Sequence, residues 1–329
     1  MGNYLGPWDL DSVLKDWVKQ KHEHLFHTDF YYMPENPMED PLIKELAIYL
    51  DIPQEYIFTC SGISQAIHSI SNFKTWERIV ITTPEFGLYS LVASETGKEV
   101  ITIQVDTFDC LIDFYKKNDS RKNDILCFSS PRWFDGIRIT KDQLTTLLTN
   151  FHGFLFIDEA YIDYSNTEDW TLDFCLNNER IILARSFSKG WYLPGLRTGY
   201  IVSKYLPSTF RKQNIVPHSV TSYSIEFIKQ MLNDRDLMNH FIKIRKNVIN
   251  LREYAYLHLL QIDGVKPVNS EANFSCVHFD PEKFNNERLA GVTIEGVKVL
   301  NLPEVILKYA IWEKDDIDNM LKHIKDCRI

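Results

Sequence analysis

Lys189 lies in the run Ser186-Phe-Ser-Lys-Gly-Trp-Tyr-Leu-Pro-Gly-Leu-Arg197-Thr-Gly-Tyr200, directly after the apolar stretch Ile181–Ala184. A short apolar stretch bounded by turn residues reads as a strand, so the lysine sits just past a strand end. An amine in that position, with serines beside it and an arginine eight residues later, suits a phosphorylated aldehyde. The amine condenses with the carbonyl. The hydroxyls and the planar guanidinium fork hold phosphate oxygens, and the glycines let the backbone come close. Taken alone, a lysine and an arginine on a loop are ordinary solvated cations, so the rest of the chain has to supply convergent groups.

Four further segments qualify. Phe154-Leu-Phe-Ile-Asp158-Glu-Ala-Tyr161 ends an apolar run on an acid, at the strand terminus where an open α/β sheet presents its ligands. By itself such an aspartate is usually a helix cap. Phe58-Thr-Cys-Ser61-Gly62-Ile63-Ser64 passes from strand to helix, and the free N–H groups of a helix start attract anions. Pro84-Glu85-Phe86-Gly87-Leu88-Tyr89 places two aromatics after another strand, and Tyr31-Tyr32-Met-Pro precedes an amphipathic helix.

The lysine segment resembles the S-x-S-K-x5-G-L-R-x-G motif of class I and II aminotransferases, pyridoxal 5′-phosphate (PLP) enzymes of fold type I. The resemblance extends over nearly the whole chain, to Glu271-Ala-Asn-Phe274 in the C-terminal part. It is nearest the histidinol-phosphate aminotransferase-like branch, through the short length and the N-terminal Tyr4-Leu5-Gly6-Pro7. It implies Lys189 as the Schiff-base lysine and carrier of the Cα proton, and Arg197, Ser186 and Ser188 as phosphate ligands. It implies Asp158 at the ring nitrogen, where a carboxylate keeps the ring protonated and able to accept electrons. Tyr161 falls at the ring's phenolic oxygen, and the backbone of Gly62, Ile63 and Ser64 at the phosphate. Phe86 is the aromatic stacked on the ring, with Tyr89 nearby. Tyr32 would reach the phosphate of a neighbouring subunit, which implies a homodimer. Tyr4 and Lys308 fall at substrate-binding positions.

Three positions depart from the family pattern. The asparagine that bonds the ring oxygen is replaced by Trp133, which has one donor and no acceptor. The arginine for the substrate carboxylate falls on Lys308, a point charge rather than a fork. The arginine for a substrate phosphate falls near Leu300, so a phosphorylated substrate is not expected unless Arg132 or Arg138 supplies the cation. The expectation is transamination of an amino acid or amine. The alternative is a PLP-dependent decarboxylase or a β/γ-eliminating or cyclising lyase on the same fold.

These residues require a scaffold that delivers strand ends to one edge. Strand-length runs at Tyr56–Cys60, Arg78–Thr82, Val100–Val105, Ile125–Phe128, Gly153–Ile157, Ile181–Ala184 and Thr198–Val202 alternate with helical patterns such as Ser64–Phe73, Leu88–Thr96 and Lys141–Leu148. That alternation predicts an α/β fold with a mostly parallel sheet of the seven-stranded type, covered by helices on both faces. Ser222–Leu260 reads as long helices interrupted near Asn233–Arg235, and short strands at Ala272–His278 and Leu307–Ile311 precede a last helix. The reading divides the chain into a large PLP-binding domain, 25–225, and a smaller α+β domain, 1–24 plus 226–329.

The 329 residues carry a net charge of −9, with 44% apolar and 25% charged residues and a pI near 5.6. The acidic balance argues against nucleic acid or an anionic membrane as a partner. No apolar run reaches the roughly 18 residues of a membrane span, and the expectation is a cytoplasmic enzyme acting on a small-molecule amino acid. Six scattered cysteines without a C-x-x-C pair read as buried free thiols. His22, His24 and His27, interleaved with charges, read as a solvated helix face rather than a metal site.

Overall fold

A computed structural model describes residues 12–26, 40–166, 169–206, 210, 219–285, 289, 300–301, 305–310 and 313–329. Helix α1 (Ser12–Phe26) leads to α2 (Pro41–Leu50), which starts where Asp40 accepts from Leu42 N at 2.9 Å and proline occupies the first turn. Then come β1 (Ile57–Cys60), α3 (Gly62–Asn72), β2 (Arg78–Thr83), α4 (Leu88–Glu95), β3 (Glu99–Gln104), α5 (Phe108–Lys117) and β4 (Asp124–Ser129). Helix α6 (Lys141–Asn150), capped by the reciprocal Thr140–Gln143 box, precedes β5 (Phe154–Asp158), α7 (Trp170–Leu176), β6 (Ile181–Ser186) and β7 (Gly199–Val202).

These strands form a 7-stranded sheet in the order β1-β7-β6-β5-β4-β2-β3. Only β7 runs antiparallel to its neighbours. Alternate residues of each strand enter different apolar clusters: Leu126, Phe128, Leu155, Ile157 and Leu183 on one face, Ile125, Cys127, Phe156, Ile182 and Ala184 on the other. A sheet buried on both faces needs such continuous apolar strands. The edge strand β3 is the exposed one.

Helices α8 (Ser222–Leu232) and α9 (Arg235–Leu260) break at Asp234, which accepts from Leu237 N at 3.1 Å. Strands β8 (Val265–Pro267), β9 (Phe274–Phe279), β10 (Leu300–Asn301) and β11 (Val305–Ala310) form an antiparallel sheet ordered β10-β11-β9-β8, closed by α10 (Lys314–Asp326). Strand β9 starts at Phe274 rather than Ala272. Ala272 is held in the preceding turn, its N–H donating to Ser270 Oγ at 3.0 Å and its carbonyl accepting from Arg252 at 2.8 Å. Trp17 of α1 packs edge-on against Phe227 at 5.1 Å and donates to Asp234 at 2.7 Å.

All six cysteines are free thiols, with Cys110 exposed and the other five buried. Among the described residues no helix is long and apolar enough to cross a membrane, and no cluster of His, Cys, Asp or Glu has metal-site geometry. Tyr4, Tyr32 and His27 lie outside the described residues.

Candidate active site

The carboxyl ends of β1, β2, β4, β5 and β6 supply the site, as the direction of the parallel strands requires. Register places the anion-binding end. Gly199 pairs with Cys60 on one side and Ser186 on the other, so the turn into α3 and the Lys189 loop lie side by side. Gly62 has φ +70°, and a Cβ there would sit 2.8 Å from Arg197 Nη2. The Arg197 guanidinium therefore covers the first turn of α3, where Gly62 and Ile63 are buried and Ser64 is half-buried. The Ser61 side chain makes no capping bond, which leaves the helix-start N–H groups to an outside acceptor. Ser188 N donates to Ser186 Oγ at 3.0 Å, folding the serine hydroxyl into the loop.

Gly62→Ala should cost about 1–2 kcal/mol of stability, because a left-handed φ strains any residue with a Cβ. The same substitution pushes the arginine off its place. Cofactor affinity should fall by about tenfold if one charge-assisted contact of about 1.4 kcal/mol is lost. Equilibrium dialysis of the cofactor against wild type and variant measures it.

Asp158 ends β5, 6% exposed, accepting from Tyr89 Oη at 3.1 Å and Ala160 N at 2.9 Å. Burial, then the charge of Glu85, push its carboxyl up to about 7, against the pull of those two bonds and Lys189. Burial of the half-buried Lys189 brings its amine down to about 8; Asp158 opposes this and Arg197 adds to it. The Lys189 Nζ stands 5.3 Å from the centroid of the buried Tyr161 ring, which packs edge-on against Phe274 at 5.0 Å. Tyr89 is thus a side-chain hydrogen-bond partner of Asp158, a contact that sequence motifs do not reveal.

On the other side, Lys308 of β11 is buried. Its Nζ donates to the Trp133 carbonyl at 2.6 Å and lies 3.8 Å from the Phe274 ring centroid and 4.6 Å from that of Trp133. Burial brings this amine to about 8 as well. Trp133 faces Phe86 at 6.2 Å, and Phe86 is 40% exposed. Leu300 lies in β10. The two arginines considered as replacement cations are committed elsewhere. Arg132 holds Asp135 at 2.9 Å and the Asp106 carbonyl at 2.8 Å, and Arg138 holds Ser165 at 2.7 Å with Glu271 at 3.8 Å.

Sequence reasoning passes over Glu85. Its carboxylate accepts from Phe86 N at 2.8 Å and from Ser129 N at 2.8 Å, and burial raises its proton affinity. The signal that marks it is a charged residue in a turn between an apolar strand and an aromatic.

Such a sheet, with an amine, an acid and an arginine gathered at its carboxyl edge, defines the PLP-dependent enzymes of fold type I. Two observations fit that cofactor: the cradle at Gly62 that a Cβ would fill, and the buried Asp158 carboxyl available to a ring nitrogen. The chain belongs to the class I and II aminotransferase family, whose sequence profile matches residues 1–322, and it is a PLP-dependent aminotransferase. It is 25% identical over 343 residues to the histidinol-phosphate aminotransferase of Caldanaerobacter subterraneus subsp. tengcongensis, covering 97% of this chain and 90% of that one. The histidinol-phosphate aminotransferase of Sinorhizobium meliloti, solved in complex with pyridoxal-5'-phosphate, matches with a TM-score of 0.75 at 16% identity, covering 99% and 90% of the two chains. L-Threonine-O-3-phosphate decarboxylase from Porphyromonas gingivalis matches with a TM-score of 0.74 at 19% identity, covering 94% and 95%. At those identities the two solved structures share the fold.

Proposed function

We propose that Lys189 is the covalent attachment point of PLP and moves the substrate proton, that Asp158 is the ring-nitrogen acid, and that the substrate is an amino acid without a phosphate group. The observation that carries this reading is the convergence of Lys189, Asp158, Tyr161 and Arg197 at one sheet edge. When bound, the cofactor supplies an aldehyde and a protonated aromatic ring that takes up the electrons of a broken Cα bond. The first turn of α3 (Gly62, Ile63, Ser64), Ser186, Ser188 and Arg197 hold its phosphate, Phe86 covers its ring, and Tyr161 bonds its phenolic oxygen. Tyr89 keeps Asp158 oriented through the 3.1 Å bond. The lowered proton affinity of Lys189 leaves part of its amine neutral near pH 8, as a base at Cα must be. Lys308 offers the substrate carboxylate a single charge.

The reading extends to a cytoplasmic homodimer in which Tyr32 of one subunit reaches the phosphate of the other and Tyr4 lies against substrate. The large domain spans 25–225, with 1–24 plus 226–329 forming the small one.

Single-substrate mixing tests the function. An accepted amino acid, added to the holoenzyme without an oxo acid, should bleach the visible band and release one equivalent of the matching oxo acid. Release of carbon dioxide or ammonia instead rejects transamination.

A further inference from the structure

Glu85 connects two aromatics at the mouth of the site to the acid at its floor. Phe86 N donates to Oε1 at 2.8 Å and Ser129 N to Oε2 at 2.8 Å. Ser129 Oγ donates to Oε2 at 2.7 Å and accepts from Trp133 N at 2.6 Å. Ser129 is the register partner of Asp158 in the β4–β5 ladder, and Ser130 N donates to the Asp158 carbonyl at 2.8 Å. The ends of β2, β4 and β5 are therefore tied together through one carboxylate, with Asp158 on the last of them.

We propose that Glu85 is a positioning residue for the aminotransferase: it fixes Phe86 and the Trp133 turn, and through Ser129 it holds a carboxylate beside the strand end that carries Asp158. This deepens the assignment of Asp158 as the ring-nitrogen acid and rests on it. The turn that carries Trp133 is tethered through its backbone by the Glu85–Ser129–Trp133 chain of bonds. The groups facing Glu85 come from five elements: Asp158 of β5, Tyr89 of α4, Cys127 of β4, Arg132 of the next turn and Lys308 of β11. Arg132 is held by Asp135 at 2.9 Å, and its charge opposes the effect of burial on Glu85. The carboxylate acts on an acid and an amine with the same sign: it makes Asp158 give up its proton less readily, and it opposes, as a minor cause, the burial that lowers Lys308.

The test uses the holoenzyme and reads protons rather than turnover. Glu85→Gln keeps an acceptor of the same shape and removes the charge, Glu85→Ala removes both, and Glu85→Asp keeps the charge. In the two neutral variants the pH midpoint of the visible band should fall by about half to one unit, the order expected for one charge several ångströms away in a protein-like dielectric. Nitrogen NMR of isotope-labelled cofactor should show the ring nitrogen losing its proton more easily. Glu85→Asp should stay within about 0.2 unit of wild type, well below that one-charge effect. Glu85→Ala should also raise KM, since it frees the Trp133 turn, whereas a merely structural role would leave the Glu85→Gln midpoint unmoved. Midpoints of both neutral variants within about 0.2 unit of wild type overturn the proposal, whatever happens to turnover. A wild type without any visible band instead fails the PLP assignment of the site.

Discussion

Lys189→Ala is expected to purify without the visible absorbance of the wild type and to lose turnover by about a thousandfold or more, the scale for removing a group proposed as both nucleophile and proton carrier. The amine is half-buried, and burial lowers it from 10.5 to about 8. The form that attacks an aldehyde is the neutral amine. An ordinary lysine would gain neutral amine with rising pH until above 10.5, whereas Lys189 should be mostly neutral above about 8. The rate of cofactor uptake by the apo-protein should therefore rise with pH and level off just above that value. Stopped-flow absorbance across the pH range measures this. A visible band retained in Lys189→Ala would sink the assignment, and a rate still climbing at pH 10 would show that burial does not tune the amine.

Asp158→Asn should separate function from stability. Turnover should fall by about a hundredfold or more, as for removal of one preorganised charge from a reaction centre, because a neutral amide cannot hold a proton on the ring nitrogen. The apo-protein, by contrast, should become more stable at neutral and alkaline pH. The folded-state carboxyl is raised from 3.8 to about 7 by burial and Glu85, so its favourable contribution is complete below the unfolded value and is lost as pH rises through the folded one. The stability difference between variant and wild type should open between pH 3.8 and about 7 and stay constant above. One pKa unit corresponds to about 1.4 kcal/mol. Asparagine keeps an acceptor for Ala160 N but buries an NH2 group that has its own desolvation cost, so about 1–3 kcal/mol of gain is expected at pH 8. Denaturant titrations of both apo-proteins at several pH values check it. A variant less stable than wild type at pH 8 would show that the carboxylate is not penalised there.

The architecture was legible because it is written in local pattern. Each buried strand is a short run of β-branched and aromatic residues, and the break at Asn233–Arg235 is the N-cap of Asp234, visible as an acid before a long helical stretch. Strand β9 starts two residues later than its apolar run, since Ala272 is apolar enough to extend the run while its backbone is held by Ser270 and Arg252. Lys189, Asp158 and the Gly62 turn were legible for a related reason: each stands at a fixed offset from a strand end, and parallel strands bring those ends to one edge.

By itself the sequence determined the order of strands and helices, the sheet edge that carries chemistry, and the lysine, acid and arginine placed there, because periodicity and strand-end position depend on neighbours along the chain. The tertiary structure alone decided how those residues are wired. Tyr89 bonds Asp158 across 69 residues and Lys308 turns onto the Trp133 carbonyl across 175. Arg132 and Arg138 are drawn to internal partners, and Glu85 ties three strand ends together. Such contacts depend on sheet register and on which rotamer a packed interior permits, and neither is encoded in any single stretch of residues.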